Sequence, residues 1–102
     1  MTAVSSTDSC RALYFSRHAL ERMFQRSIPP EAIQTLLNHG EIIATYADDQ
    51  PYPSALILGW HANKPIHAVI ARDAHTETCQ VITVYQPDPL LWDTAFKLRK
   101  KS

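Results

Sequence analysis

The spacing of apolar residues changes once along this chain, at Gly40. Before it, Ala19, Leu20, Met23 and Phe24 recur at i, i+1, i+4 and i+5, and Ala32, Ile33, Leu36 and Leu37 repeat that spacing, the period of a helix with one buried face. Ser16 is placed to cap a first helix predicted over 17–26. Pro29 and Pro30 end it, Pro30 also suits the first turn of a second helix, and Gly40 stops that one. After Gly40, the segments 41–46, 55–60, 65–71 and 79–85 are rich in Ile, Val, Leu, Thr and Tyr, which reads as four strands. Their connections are short enough to join antiparallel neighbours. Upstream, Ala12 to Phe15 fits a short edge strand; downstream, Asp88-Pro89 opens a predicted final helix with Leu91, Trp92, Ala95 and Leu98 as its apolar stripe.

The expectation is therefore an α+β fold: a short N-terminal strand, two helices, a four-stranded antiparallel sheet and a C-terminal helix. Residues 1–10 read as a disordered lead, 11–99 as a single domain and 100–102 as a basic tail. A chain of 102 residues can bury a core without metal or disulfide staples. Cys79 is accordingly expected to be an inert strand residue and Cys10 an exposed thiol. The longest apolar stretch, Ala55 to Trp60, is far short of the ~18 residues a spanning helix needs. The polar N-terminus shows no secretory signal, so a cytoplasmic protein is expected. With only Gly40 and Gly59 in the chain, a glycine-rich phosphate loop is excluded.

Charge narrows the function further. Ten basic side chains balance ten acidic ones, which argues against a protein held broadly on nucleic acid by long-range attraction. The balance conceals a local excess, because Arg11 to Arg26 holds four arginines against Glu21 alone. His18, Arg22 and Arg26 stand at i, i+4 and i+8 on the first helix, drifting by about 40° per step. Such a stripe suits an anion such as phosphate; a solvated helix face with its arginines paired elsewhere explains it equally simply. Lys97, Arg99, Lys100 and Lys101 crowd the other end of the chain, where they favour a helix C-terminus or touch RNA or an acidic partner.

On the sheet, a turn centred near His75 would set His67 opposite Thr83 and Val69 opposite Val81, with Tyr85 on the same face. Imidazole, hydroxyl and phenol together make a plausible proton-transfer set, against the plainer reading of a half-buried, hydrogen-bonded histidine. Metal binding by His61, His67, His75, Cys79 and Cys10 is disfavoured, since no paired ligand motif such as CxxC or HExxH occurs.

Four segments carry a family resemblance: Phe15 to Met23, Gly40 to Ile43, Pro65 to Val69 and Ile82 to Asp88. Together they resemble the bacterial domain-of-unknown-function family numbered 4258, whose hallmark pairs a His-Ala-x-x-Arg-Met helix with a Thr-x-Tyr-x-Pro strand end. That family is similar to the RelE-like and MqsR-like toxins, small ribonucleases of type II toxin–antitoxin systems. The resemblance implies a RelE-like arrangement, an RNA substrate, a zinc-finger antitoxin of the MqsA type as partner, and chemistry that needs no cofactor. In such a ribonuclease His18 or His67 would serve as base or acid, Arg22 would neutralise the phosphorane charge, and Tyr85 would orient the phosphate. Arg26, Thr83 and Arg17 would bind substrate. The rival readings are a non-catalytic protein-interaction module and a small phosphate- or nucleotide-binding domain built on the His18, Arg22 and Arg26 stripe.

Overall fold

The computed structural model describes residues 10–100, so the expected lead over 1–9 and the last two residues of the basic tail lie outside the described residues. Seven elements follow one another: β1 (Ala12–Phe15), α1 (Arg17–Gln25), α2 (Pro30–His39), β2 (Glu41–Tyr46), β3 (Ser54–His61), β4 (Lys64–Asp73) and β5 (Thr78–Tyr85). Ser16 caps α1 as its residue type suggests, its hydroxyl accepting the Ala19 N–H at 2.9 Å. Pro30 starts α2 and Gly40 ends it. Gly40 has ordinary extended backbone rather than a left-handed cap. Its lack of a side chain is needed because a Cβ there would collide with the Leu36 and Leu58 carbonyls. At Gly59 a Cβ would stand 2.9 Å from Leu36 Cγ, so both glycines let α2 lie close on β3.

The sheet differs from the expected four antiparallel strands. It has five, in the order β1-β5-β4-β3-β2, and is mixed. Three pairs are antiparallel, while β1 adds in parallel to the outer edge of β5 with Phe15 beside Val81. The physical reason is that Leu13 and Phe15 pack against the core only if their strand joins the sheet. Both helices cover one face. There Ala19 and Met23 of α1 and Ile33, Leu36 and Leu37 of α2 are buried with Ile57, Ala68 and Val81 of the sheet. The expected α1 stripe is only half buried: Leu20 and Phe24 are 49% and 87% exposed.

The predicted C-terminal helix is absent. Residues 86–100 form turns and irregular backbone, a segment we call the strap. Pro87 and Pro89 deny backbone donors at its start, and Asp93 then competes with a helix for the amides ahead of it. The Asp93 carboxylate accepts the Lys97 N–H at 3.0 Å, its own N–H donates to the Leu98 carbonyl, and Trp92 bridges to Arg99 as in a narrow antiparallel loop. The strap lies on the sheet face that the helices leave open. The RelE-like arrangement expected from the resemblance, closed by a terminal helix, is therefore not the one observed.

A second correction concerns the cysteines. Cys10 and Cys79 form a disulfide, with Cα atoms 5.6 Å apart, that ties the chain ahead of β1 to the start of β5. The parallel β1–β5 pairing sets Leu13 opposite Cys79, and the bend at Arg11 ahead of β1 turns Cys10 back within reach of it. A bridge spanning 69 residues restricts the unfolded chain by roughly 4 kcal/mol. Cys10→Ser should lower the unfolding free energy read from urea titration by an amount of that order, and a variant as stable as its parent would show that the bridge does not form in solution.

Candidate functional site

The site residues fall into two groups joined by one irregularity in β5. The β4–β5 register runs His67 with Tyr85 and Val69 with Thr83, then Ile70 with Val81, leaving Ile82 as an extra residue. The bulge reverses the alternation. Val81 and Val84 both reach the helix-covered core, whereas Thr83 and Tyr85 point to the face that carries His67 and the strap. The expected partner of His67, Thr83, is thus replaced by Tyr85, although all three residues share that face. The bulge is held from outside the sheet, since Ser16 donates its hydroxyl to the Ile82 carbonyl at 2.7 Å while its N–H donates to the Val81 carbonyl at 3.0 Å.

That anchor sets the start of α1 at the edge of β5. His18 is exposed, and its Nε2 shares a hydrogen bond of 2.9 Å with the Thr83 hydroxyl. Arg22 follows one turn later, its guanidinium reaching Gln25 through a long 3.4 Å contact, and exposed Arg26 continues the stripe. Arg17 is turned toward Glu21 in an exposed pair at 3.4 Å, whose energetic worth is small. The first group is therefore an imidazole oriented by a hydroxyl and followed by two solvent-facing guanidiniums.

The second group is sealed. His67 is fully buried. Its Nε2 lies 2.7 Å from the Phe96 carbonyl, which can only accept, so Nε2 carries the proton. Nδ1, bare in that tautomer, accepts the Tyr85 hydroxyl at 3.1 Å. The rings of Trp92 and Tyr85 stand edge-on to the imidazole at 4.4 and 5.2 Å. Burial pushes the His67 pKa below its ordinary value of 6.5, with the Phe96 carbonyl opposing. Burial likewise raises the Tyr85 phenol, with Tyr46 adding to the rise and Arg99 working against it. His67 in this arrangement is a neutral clamp between sheet and strap. Its lid, Trp92 and Phe96, is hidden from apolar spacing, which puts Trp92 on a helix stripe; Asp93, a residue that favours turns over helix interiors, is the signal that could have found it.

No group of three or more metal-ligating side chains that could hold an ion occurs among the described residues, and none of their helices is long and apolar enough to cross a membrane.

Because the folded state disfavours His67 protonation, the unfolded chain takes up a proton near pH 6.5 that the folded chain accepts only at lower pH. Stability contributed by neutral His67 is complete above about 6.5 and is lost as pH falls through the lowered folded value. Urea midpoints measured against pH should thus fall on acidification more steeply for the parent than for His67→Gln. Parallel curves would show that His67 is not a buried neutral group.

The family model "Domain of unknown function (DUF4258)" matches residues 15–86. No curated protein and no solved structure matches the chain. The matched span takes in both helices and all of β2 to β5, and with them both histidine pairs, and it stops where the strap begins. By that match the chain belongs to the DUF4258 family.

Proposed function

We propose that the protein is a metal-independent endoribonuclease of the type II toxin kind, with its chemistry at the exposed end of α1. The observation that carries this reading is the His18–Thr83 hydrogen bond with Arg22 one turn away. A base must be exposed to its substrate and held in orientation by a further group. His18 meets both conditions, whereas buried His67, with both nitrogens engaged, acts as support together with Tyr85.

In the proposed reaction Thr83 orients the His18 ring and an imidazole nitrogen removes the proton of a ribose 2′-hydroxyl. The 2′-oxygen attacks the adjacent phosphorus, the bond to the 5′-oxygen breaks, and that oxygen takes a proton from the imidazolium or from water. The products are a 2′,3′-cyclic phosphate and a 5′-hydroxyl. Arg22 and Arg26 stabilise the dianionic phosphorane, and Arg17 provides a weaker contact because Glu21 competes for it. The family resemblance adds a zinc-finger antitoxin of the MqsA type as protein partner and the cytoplasm as site of action. A reducing cytoplasm opens accessible disulfides, so cleavage has to persist after the Cys10–Cys79 bridge is reduced.

One observation favours a second reading, a non-catalytic interaction module: Phe24 and Leu20 form an exposed apolar ridge on α1, the kind of surface that marks protein contacts. The two readings separate in one assay. Purified protein should cut single-stranded RNA in the presence of chelator and reductant, His18→Ala should slow it by about 10²- to 10⁴-fold, and Thr83→Val should slow it less. Absence of cutting would leave the interaction module as the better reading, whereas cutting that survives the His18→Ala, Arg22→Ala double substitution would show that the chemistry does not sit on α1.

A further inference from the structure

Beyond the histidines, one end of the sheet carries an aromatic that packing does not account for. Trp60, at the end of β3, is 54% exposed. Its edge contact is to Phe96 of the strap, with ring centroids 6.0 Å apart and planes at 78°, a geometry that steadies the indole while covering only part of it. Phe96 itself has φ 60°, a left-handed conformation that is costly for a bulky residue and persists only where its surroundings impose it. Its neighbours hold it from both sides: the Phe96 N–H donates to the Asp93 carbonyl, the Lys97 N–H donates to the Asp93 carboxylate, and the Phe96 carbonyl accepts from His67 Nε2–H. A cavity of about 210 Å³ lined by Thr35, Leu36, His39, Gly40, Gly59 and Trp60 lies on the helix-covered side of β3, away from the Trp60–Phe96 contact.

The placement of Trp60 connects it to the proposed reaction. Thr83 opposes Val69 and Val69 opposes Leu56, so Trp60 lies two strands across and four residues along from Thr83, on the same sheet face. That is roughly 16 Å by ordinary strand spacing, a span of a few nucleotides. The strap crosses the same face and presents exposed Lys97, Arg99 and Lys100. Lys97 is bound to Glu41 at 3.0 Å and Arg99 lies 5.8 Å from the Trp92 ring centre.

We propose that Trp60 forms a nucleobase-stacking subsite for single-stranded RNA, with the base on the exposed indole and the backbone passing the basic strap toward His18. Resting on the ribonuclease reading, it names where a substrate base is held. A flat apolar ring beside cations is what single-stranded nucleic acid uses irrespective of sequence. The strained Phe96, clamped by His67, is then the buttress that sets the indole in place.

The test uses a short single-stranded RNA with 2′-O-methyl riboses, which cannot be cut by 2′-hydroxyl attack, and follows both tryptophan emission and anisotropy. Trp92 is nearly buried, so stacking should quench chiefly Trp60. The expected result is saturable quenching in the parent, affinity weakened roughly 5- to 100-fold in Trp60→Ala, and a smaller loss in Trp60→Phe, which keeps a ring against Phe96. With cleavable RNA, Trp60→Ala should raise KM and leave kcat nearly unchanged. RNA that binds the parent without quenching, or binds Trp60→Ala with parental affinity, overturns the subsite while leaving the ribonuclease reading in place. Cleavage absent from the parent overturns that reading instead, and RNA that neither binds nor is cut overturns both.

Discussion

A single extra residue, Ile82, governs the arrangement of this molecule. If β5 alternated regularly through Ile82 instead of bulging there, Val81, Thr83 and Tyr85 would all lie on one face, and either the core would receive a hydroxyl and a phenol or the strap face would receive a valine. The bulge lets β5 serve both faces in turn: Val81 and Val84 complete the core under the helices, and Thr83 and Tyr85 turn toward the strap. It is fixed by Ser16, whose hydroxyl both donates to the Ile82 carbonyl and accepts the Ala19 N–H that starts α1. One side chain thereby couples a helix cap to a sheet irregularity, and the position of His18 against Thr83 follows from that coupling.

The second face of the sheet poses a separate problem. Leu56, Leu58 and His67 are buried there although both helices pack on the other side, so something else must exclude water. The strap does so with few apolar anchors, chiefly Pro87 and Trp92, while Leu90 and Leu98 remain exposed. Burying His67 costs the desolvation of an imidazole, which its two hydrogen bonds offset only because one partner donates and the other accepts. The histidine contributes what apolar contacts cannot, a directional attachment that fixes where along the sheet the strap lies. Phe96, whose carbonyl takes one of those bonds, meets Trp60 edge-on with its ring.

Local elements were legible in the sequence wherever one physical signal dominated. The bounds of α1 and α2 follow from Ser16, Pro30 and Gly40, and β2 to β5 from runs of β-branched residues. What could not be read was pairing. The outer edge of β5 and the residues of β1 carry no mark that they belong together, because parallel partners distant in sequence leave no local pattern; the Cys10–Cys79 bridge depends on that same pairing and was hidden with it. The apolar spacing at the chain's end suggests a helix, and Asp93 overrides it through local hydrogen bonds that periodicity does not register. Among the site residues, Thr83 and Tyr85 reach the expected face for a reason the sequence does not display. Regular alternation from His67 and a bulge at Ile82 lead to the same side, but only the bulge also delivers Val81 to the core.

The same bulge bears on how a neutral chain could handle a polyanion. Zero net charge leaves little long-range attraction, so binding would have to come from short-range features that are already oriented. His18, Arg22 and Arg26 share one helix whose start is pinned by Ser16, and Trp60 is braced by a strap whose position is pinned by His67. Neither pin is itself charged: one is a hydroxyl bridging two backbone groups, the other an imidazole kept neutral by burial. Orientation is therefore insensitive to salt, while the attraction of the exposed arginines for phosphate is not. That division suits a site that selects a local backbone geometry rather than one that gathers nucleic acid from a distance.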